Sequence, residues 1–299
     1  MSRLLEGLVL IDKPAGPTSH DIVASVRRAT GQRRTGHTGT LDPPATGLLV
    51  LALGRATRLI RFLPDAPKLY EGTLALGLTT KTDDLAGDVI ERARGPLPEF
   101  EAVRAAAAGL VGKQLQIPPA VSARKVGGER LYRLARRGRS VEAPPAEIEV
   151  FSFELRRGTQ DGRVPFRAAV GKGTYIRSLA RDLGERLGCG GALAELRRTA
   201  IGPFELSSAV DPPKLGTDSS LSPWSPRATI PLDRAPLVLP TRRIEAAEIE
   251  RFAHGGVLAS IGSPDGWVRV ADHEDRILGV GQIAAGVLTP RVVLVDPAG

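Results

Sequence analysis

The sequence predicts a mixed α+β fold in two parts, a large unit over residues 1–206 and a small β-rich unit over residues 241–299. Three observations lead there. In the first unit, short apolar runs of strand type are interspersed with a few amphipathic helical stretches. Residues 207–240 are rich in Pro, Ser and Asp and read as a linker or irregular crossing. The tail then carries one helical stretch, IEAAEIERFAHGG, followed by strand-like WVRVAD, ILGVGQI and RVVLV.

The elements follow in order. Residues 8–11 form an apolar strand that runs into the breaker-rich loop DKPAGPTS. Thr18 or Ser19 can cap a helix over residues 20–30, with Ile22, Val23, Val26 and Ala29 on one side and Gly31 as its stop. LLVLAL, residues 48–53, is a short run of buried-strand type, and residues 57–63 suit a short helix. KLYEGTLALGLTT, residues 68–80, reads as a strand, and residues 99–109 favour helix. Residues 163–188 read as strand, Gly-Lys-Gly turn and helix, with Ile176, Leu179, Ala180, Leu183 and Leu187 as the apolar stripe.

Composition narrows the function classes. Apolar residues make up 42% and charged residues 25% of 299, as in soluble globular proteins. The net charge is +8 and the isoelectric point about 10.1, which favours a polyanionic partner, nucleic acid first. Arginine far outnumbers lysine, a bias that GC-rich coding also produces. The single cysteine, Cys189, excludes an intramolecular disulfide and a thiolate metal cluster. The four histidines have no metal-ligand spacing, which argues against a zinc deaminase, so no metal site is expected. No apolar run is long enough to span a membrane, and the first ten residues lack a signal-peptide cleavage pattern, so a cytoplasmic protein is expected.

The most informative stretch is GHTGTLDPPATG, residues 36–47. Its only carboxylate, Asp42, precedes Pro43, which biases it towards extended geometry. Arg33, Arg34 and His37 lie just upstream, a setting that favours an anionic carboxylate. Two readings are open from spacing alone: a turn aspartate capping local N–H groups, or a nucleophile on a stiff loop. Tyr70 can be core packing in its strand. Arg177 sits in the first turn of its helix, where a cation opposes the helix dipole, so a nearby anion would explain it. Arg124, Lys125, Arg130, Arg133, Arg136 and Arg137 crowd a segment, about 118–146, bracketed by proline pairs. Within ERLYRLARRG a helical face is suggested. The cluster is either a solvated cationic surface or, with Tyr132 interleaved, an RNA contact.

The 36–47 string matches every fixed position of the pattern GHTGxLDPxATG and so resembles the TruB family of tRNA pseudouridine synthases. DKPAG, KLYEG, TKTDDLAGDV, GKGTYIR and ALAELRRTAIGPF resemble that family's further motifs in the right order, from residue 7 to about residue 204. The resemblance implies a catalytic domain around a long, bent, mainly antiparallel sheet, with an RNA-gripping insertion, and a small appendage of the RNA-binding type called PUA. It implies isomerisation of the T-loop uridine of tRNA, position 55 in tRNA numbering, to pseudouridine. No cofactor is required. The partner is the T stem-loop, no protein partner is needed, and a monomer is expected. By the same resemblance Asp42 is the nucleophile, Arg177 pairs with it, Tyr70 stacks on the uracil, Leu196 lines the pocket, and His37 helps flip the nucleotide. Lys13 and Pro14 support the loop and contact backbone or sugar. Asp84 sits at a fixed acidic position but receives no catalytic role.

Three rivals are set beside it. A non-enzymatic RNA binder or folding protein of this fold would not need Asp42. A guide-dependent pseudouridine synthase is suggested by GPTSHD, but the chain begins almost at the first motif and its Asp loop reads in the stand-alone manner. A glycosidase needs two cooperating carboxylates, for which Asp84 is a distant candidate.

If the arginine cluster lies on RNA, each phosphate contact removed should flatten the salt dependence of binding. Neutralising Arg133, Arg136 and Arg137 together should lower the slope of log K against log salt by roughly 2 to 3 units. A salt titration of stem-loop binding checks this, and an unaltered slope would make the cluster a solvated surface.

Overall fold

The computed structural model describes residues 5–122, 124–126, 129–130, 137, 143–158, 161–213 and 229–296. Strand β1 (Gly7–Lys13) pairs antiparallel with β3 (Thr46–Leu53) from Gly7↔Leu53 to Lys13↔Gly47. Both strands are apolar on both faces because both faces are covered. Val9, Ile11, Leu49, Leu51 and Leu53 pack on Ile22, Val23 and Val26 of helix α1 (Ser19–Thr30). Leu8, Leu10, Leu48, Val50 and Ala52 face the other way, onto Ile277, Val280, Val292 and Leu294 of the C-terminal part. Of the two capping candidates Thr18 is the cap: its hydroxyl accepts from Asp21 N while the Asp21 carboxylate accepts from Thr18 N. Gly31 ends the helix in the left-handed conformation, φ 66°.

Strand β2 (Thr35–His37) pairs with the end of β3. Strand β4 (Lys68–Leu76) breaks at Gly77, φ 88°, where the sequence reading ran a strand to residue 80. The chain turns there into β5 (Leu78–Thr80), which pairs with β6 (Val89–Arg92). The expected short helix at 57–63 is a 3₁₀ turn, Gly54–Phe62. Helix α2 (Phe100–Ala108) precedes β7 (Gly112–Gln116). Then come a two-residue pair, β8 (Lys125–Val126) and β9 (Glu129–Arg130), and the long strands β10 (Ala146–Leu155) and β11 (Arg163–Val170). The helix read in ERLYRLARRG is therefore corrected at its start, where residues 129–130 are strand; residues 131–136 lie outside the described residues. Helix α3 (Ile176–Arg186) buries the stripe Ile176, Leu179, Ala180 and Leu183. Strand β12 (Gly191–Ile201) and the short β13 (Phe204–Glu205) complete the first part.

These strands form one ten-stranded sheet, mainly antiparallel as expected. With β14 (Thr229–Ile230) at its edge, its path is β14-β1-β3-β12-β4-β11-β10-β7. Its second half, from β12 to β7, carries a core with α2 and α3: Val164, Phe166, Ala168 and Val170 alternate inward along β11 and meet Leu179 and Leu183. The halves join at a parallel contact only two residues long, Arg197↔Thr46 and Arg198↔Gly47. Residues 207–240 are more than a linker. Val210 donates to Leu10 O and accepts from Asp12 N, and Thr229–Ile230 adds a strand to β1.

The C-terminal sheet has the order β15 (Thr241–Arg243), β17 (Gly266–Ala271), β18 (Ile277–Ala284), β19 (Val287–Val293), β16 (Leu258–Ala259), with helix α4 (Ala246–Ala253) beside it. Arg61 lies over both Phe62 and Trp267 at the junction, and Arg55 bridges Glu6 and Asp296, each at 2.7 Å. Among the described residues no helix is long and apolar enough to cross a membrane.

The seam needs Gly47. Its φ is +98°, and a Cβ there would lie 2.3 Å from Arg198 O. Gly47→Ala should cost at least about 2 kcal/mol through strained backbone and displaced seam, read as a lowered denaturant midpoint.

Candidate active site

The loop between β2 and β3 leaves the sheet at this seam and carries Asp42. Leu41 and Ala45 anchor it in the core on either side of Asp42, and its carbonyls need donors as well. Lys13, fully buried at the end of β1, supplies one set: its ammonium donates to Pro14 O at 2.9 Å, Pro43 O at 3.1 Å and Ala45 O at 2.7 Å. Arg198 supplies another from β12. It is 1% exposed, and donates through Nε to Leu48 O at 2.8 Å, Nη2 to Gly39 O at 3.0 Å and Nη1 to Thr40 O at 3.3 Å. Ser19 Oγ both donates to Leu41 O and accepts from Leu41 N. Asp42 is thereby fixed from the residue before it and the residues after it.

Arg177 meets it from α3. Its Nε lies 3.0 Å from Asp42 Oδ2, while Nη1 donates to Thr82 O and Nη2 to Val121 O. The guanidinium is buried and the Asp42 carboxylate is half exposed, so the pair presents its anionic side to the open cleft. Asp84 stands 3.6 Å from the same Nε. It is buried, and its other oxygen accepts from Thr82 Oγ1 and Ala86 N. The acidic position read as a loop residue is thus a second carboxylate on Arg177. Gln116 clamps the entry to α3, donating to Tyr175 O and accepting from Tyr175 N.

A cleft of about 250 Å³ opens over Asp42, walled by Tyr70, Tyr175, Leu196, Lys68, Arg177 and Arg198. Asp42, Tyr70, Arg177 and Leu196, expected together, are brought together. His37 is not in that wall; its ring stands edge-on to His20 with centroids 5.5 Å apart. Pro14 is exposed, and Lys13 has its donors turned to the loop, so its geometry is that of a support and not of a sugar contact. Val121 and Ser122 belong to the site, so the arginine-rich insertion leaves from the lip of the cleft. Arg124 is half-buried and Arg137 exposed. Arg133 and Arg136 lie outside the described residues, as do the side chains of Lys125 and Arg130.

Sequence reasoning missed Arg198 and the burial of Asp84. A signal for Arg198 existed: period two along β12 puts it on the face of Leu196, where an arginine needs waiting acceptors. Among the described residues no cluster of His, Cys, Asp and Glu could hold a metal ion.

Comparison with known proteins follows the same lines. Residues 27–176 match the family model "TruB family pseudouridylate synthase (N terminal domain)", residues 177–217 match "tRNA pseudouridylate synthase B C-terminal domain", and residues 240–294 match "Pseudouridine synthase II TruB, C-terminal". A protein of Acaryochloris marina named tRNA pseudouridine synthase B is 44% identical over 291 residues, 96% of this chain and 98% of the relative. One of the same name from Thermobifida fusca is 41% identical over 97% of this chain and 99% of its own. Among solved structures, "Crystal structure of the archaeal box H/ACA sRNP Nop10-Cbf5 complex" is similar with a TM-score of 0.70 and 26% identity, covering 98% of this chain and 88% of that one.

Burial pushes Lys13 down from its ordinary 10.5 to about 8. The unfolded chain therefore holds more protons than the folded one between those values. The cost of the buried charge is fully present below about pH 8, and stability rises as the pH climbs from there towards 10.5. Lys13→Met should lack this rise; denaturant midpoints of both proteins at about pH 7 and about pH 10 check it, and parallel curves would refute it.

Proposed function

The chain belongs to the TruB family of pseudouridylate synthases, and from that premise we propose how its cleft works and which uridine it takes. The protein is an isomerase that converts uridine in tRNA to pseudouridine. Its target, in our reading, is the T-loop uridine at position 55, taken without a guide RNA and by a single chain. The higher identity to relatives named tRNA pseudouridine synthase B, 44% and 41% against 26% for the structure titled as an H/ACA sRNP complex, favours this over the guide-dependent alternative.

The observation that carries the mechanism is the 3.0 Å Arg177–Asp42 pair at the floor of a cleft walled by Tyr70 and Leu196. The reaction breaks the C1′–N1 bond, turns the uracil and forms a C1′–C5 bond; C5 loses a proton and N1 gains one, so no atom is added or lost. Asp42 acts as the nucleophile of this exchange. Arg177 orients it, because its other two nitrogens are already fixed on main-chain carbonyls. The base must leave its stack to enter, at a cost of a few kcal/mol. Stacking on Tyr70, worth roughly 1–3 kcal/mol, and contact with Leu196 offset that. His37 meets the RNA outside the cleft, and Lys13 and Pro14 hold the loop from below. The arginines of the insertion, leaving from the cleft lip, and the C-terminal unit 241–299 extend the RNA surface beyond the pocket.

Wild-type protein should form pseudouridine at position 55 of a bare T stem-loop transcript. Asp42→Asn should abolish it while RNA affinity stays within about tenfold, roughly 1.4 kcal/mol. Substantial turnover by the purified variant would remove Asp42 from the nucleophile role, and a product at another uridine would overturn the T-loop reading.

A further inference from the structure

The cleft has a cation that the chemistry described above does not use. Lys68 opens β4 two residues before Tyr70, so the two side chains leave the same face of the strand, about 7 Å apart along it. It is half-buried in the cleft wall. Among the described residues no carboxylate lies within salt-bridge distance of its ammonium, and it makes no hydrogen bond. The two acids nearest in sequence, Asp65 and Glu71, are paired instead with Lys172 at 3.3 Å and with Arg167 at 2.7 Å. Beside Lys68 is Arg198, which has no carboxylate partner among the described residues; a Cβ placed on Gly39 would lie 3.9 Å from Arg198 Nη1 and 4.0 Å from Lys68 Cε. Burial first, and then the Arg198 charge, push Lys68 below the usual lysine range, against the weaker pull of Asp65.

A lysine that merely covers apolar surface with its stem keeps its head in water. Here the end of the stem shares a half-enclosed corner beside Gly39 with a second cation, an arrangement that an anion would relieve. The cleft's own anion is already held by Arg177. The position also suits an RNA strand. With the base on Tyr70, the group one sugar away is a backbone phosphate, and Lys68 is displaced from Tyr70 along the strand by a spacing of that kind. We propose that the Lys68 ammonium, set against the buried Arg198 guanidinium, seats a backbone phosphate flanking the uridine that enters the Asp42 cleft; this rests on the reading of that cleft as the uridine pocket. Tyr70 then fixes the base and Lys68 the backbone beside it, which defines the nucleotide's orientation over Asp42.

The test uses full-length tRNA transcripts and equilibrium binding in the Asp42→Asn background, so that no turnover intervenes. Lys68→Met should weaken binding roughly tenfold, the loss of one charge-assisted contact. It should also lower the slope of log K against log salt by about 0.7 to 0.9. Lys68→Arg should restore the slope. A transcript with one neutral methylphosphonate linkage beside the T-loop uridine should lose affinity with Lys68 present and lose little more once Lys68 is Met, since both changes remove one contact. An unchanged salt slope, or losses that simply add, would overturn the subsite. A reduced slope with a methylphosphonate that is silent in both proteins would leave the subsite standing and move the fault to the choice of uridine.

Discussion

Six main-chain carbonyls held by two buried cations fix the reactive loop. Lys13 takes those of Pro14, Pro43 and Ala45; Arg198 takes those of Gly39, Thr40 and Leu48. Neither cation has a carboxylate within salt-bridge distance among the described residues. Burying a charge without a counter-charge is costly, and carbonyl dipoles in good geometry are what offset it. The arrangement holds a proline-rich loop whose apolar anchors are Leu41 and Ala45, buried on either side of Asp42. It also surrounds Asp42 with positive charge while leaving its carboxylate facing the cleft.

The strands were legible because they are covered on both faces and so read as unbroken apolar runs, LLVLAL above all. The first helix was legible from its cap and its glycine stop. Asp42, Tyr70, Arg177 and Leu196 were legible because each sits in a motif that survives as a local string. Arg198 and Asp84 were not, for one physical reason: their partners are distant in the chain. Arg198 bonds residues 39, 40 and 48 only because β12 meets β3 at the seam, and Asp84 is buried only because its loop docks on α3 and β12. The break of the 68–80 strand was missed for a smaller reason. Gly77 reads as one more small residue in an apolar run, and only its left-handed backbone shows that the strand stops there.

The two parts of the chain are not independent bodies. One face of β1 and β3 forms a core with β18 and β19, and Trp267, Phe62 and Arg61 close its margin. The face opposite carries α1 and, at the end of β1, Lys13. The C-terminal sheet thus buries the back of the same strand pair whose ends carry Lys13 and the reactive loop. A substitution in the apolar face of β18 is therefore connected to the loop through a single layer of strand.

The parallel contact between β3 and β12 also has a consequence for biosynthesis. β3 leaves the ribosome early, but its seam partner lies some 150 residues later in the chain, and the residues that cover its outer face come later still. At typical elongation rates the interval is on the order of ten seconds or more. During it, this apolar strand pair can acquire α1 on one side and, on the other, only the 3₁₀ turn that follows β3, through Ala56 and Leu59. The Asp42 loop cannot take its final shape in that time, because Arg198 has not yet been made. Competence for chemistry therefore waits for β12 and full cover of the outer face for β18 and β19, and the nascent chain is a natural client for whatever shields exposed strands in the cell.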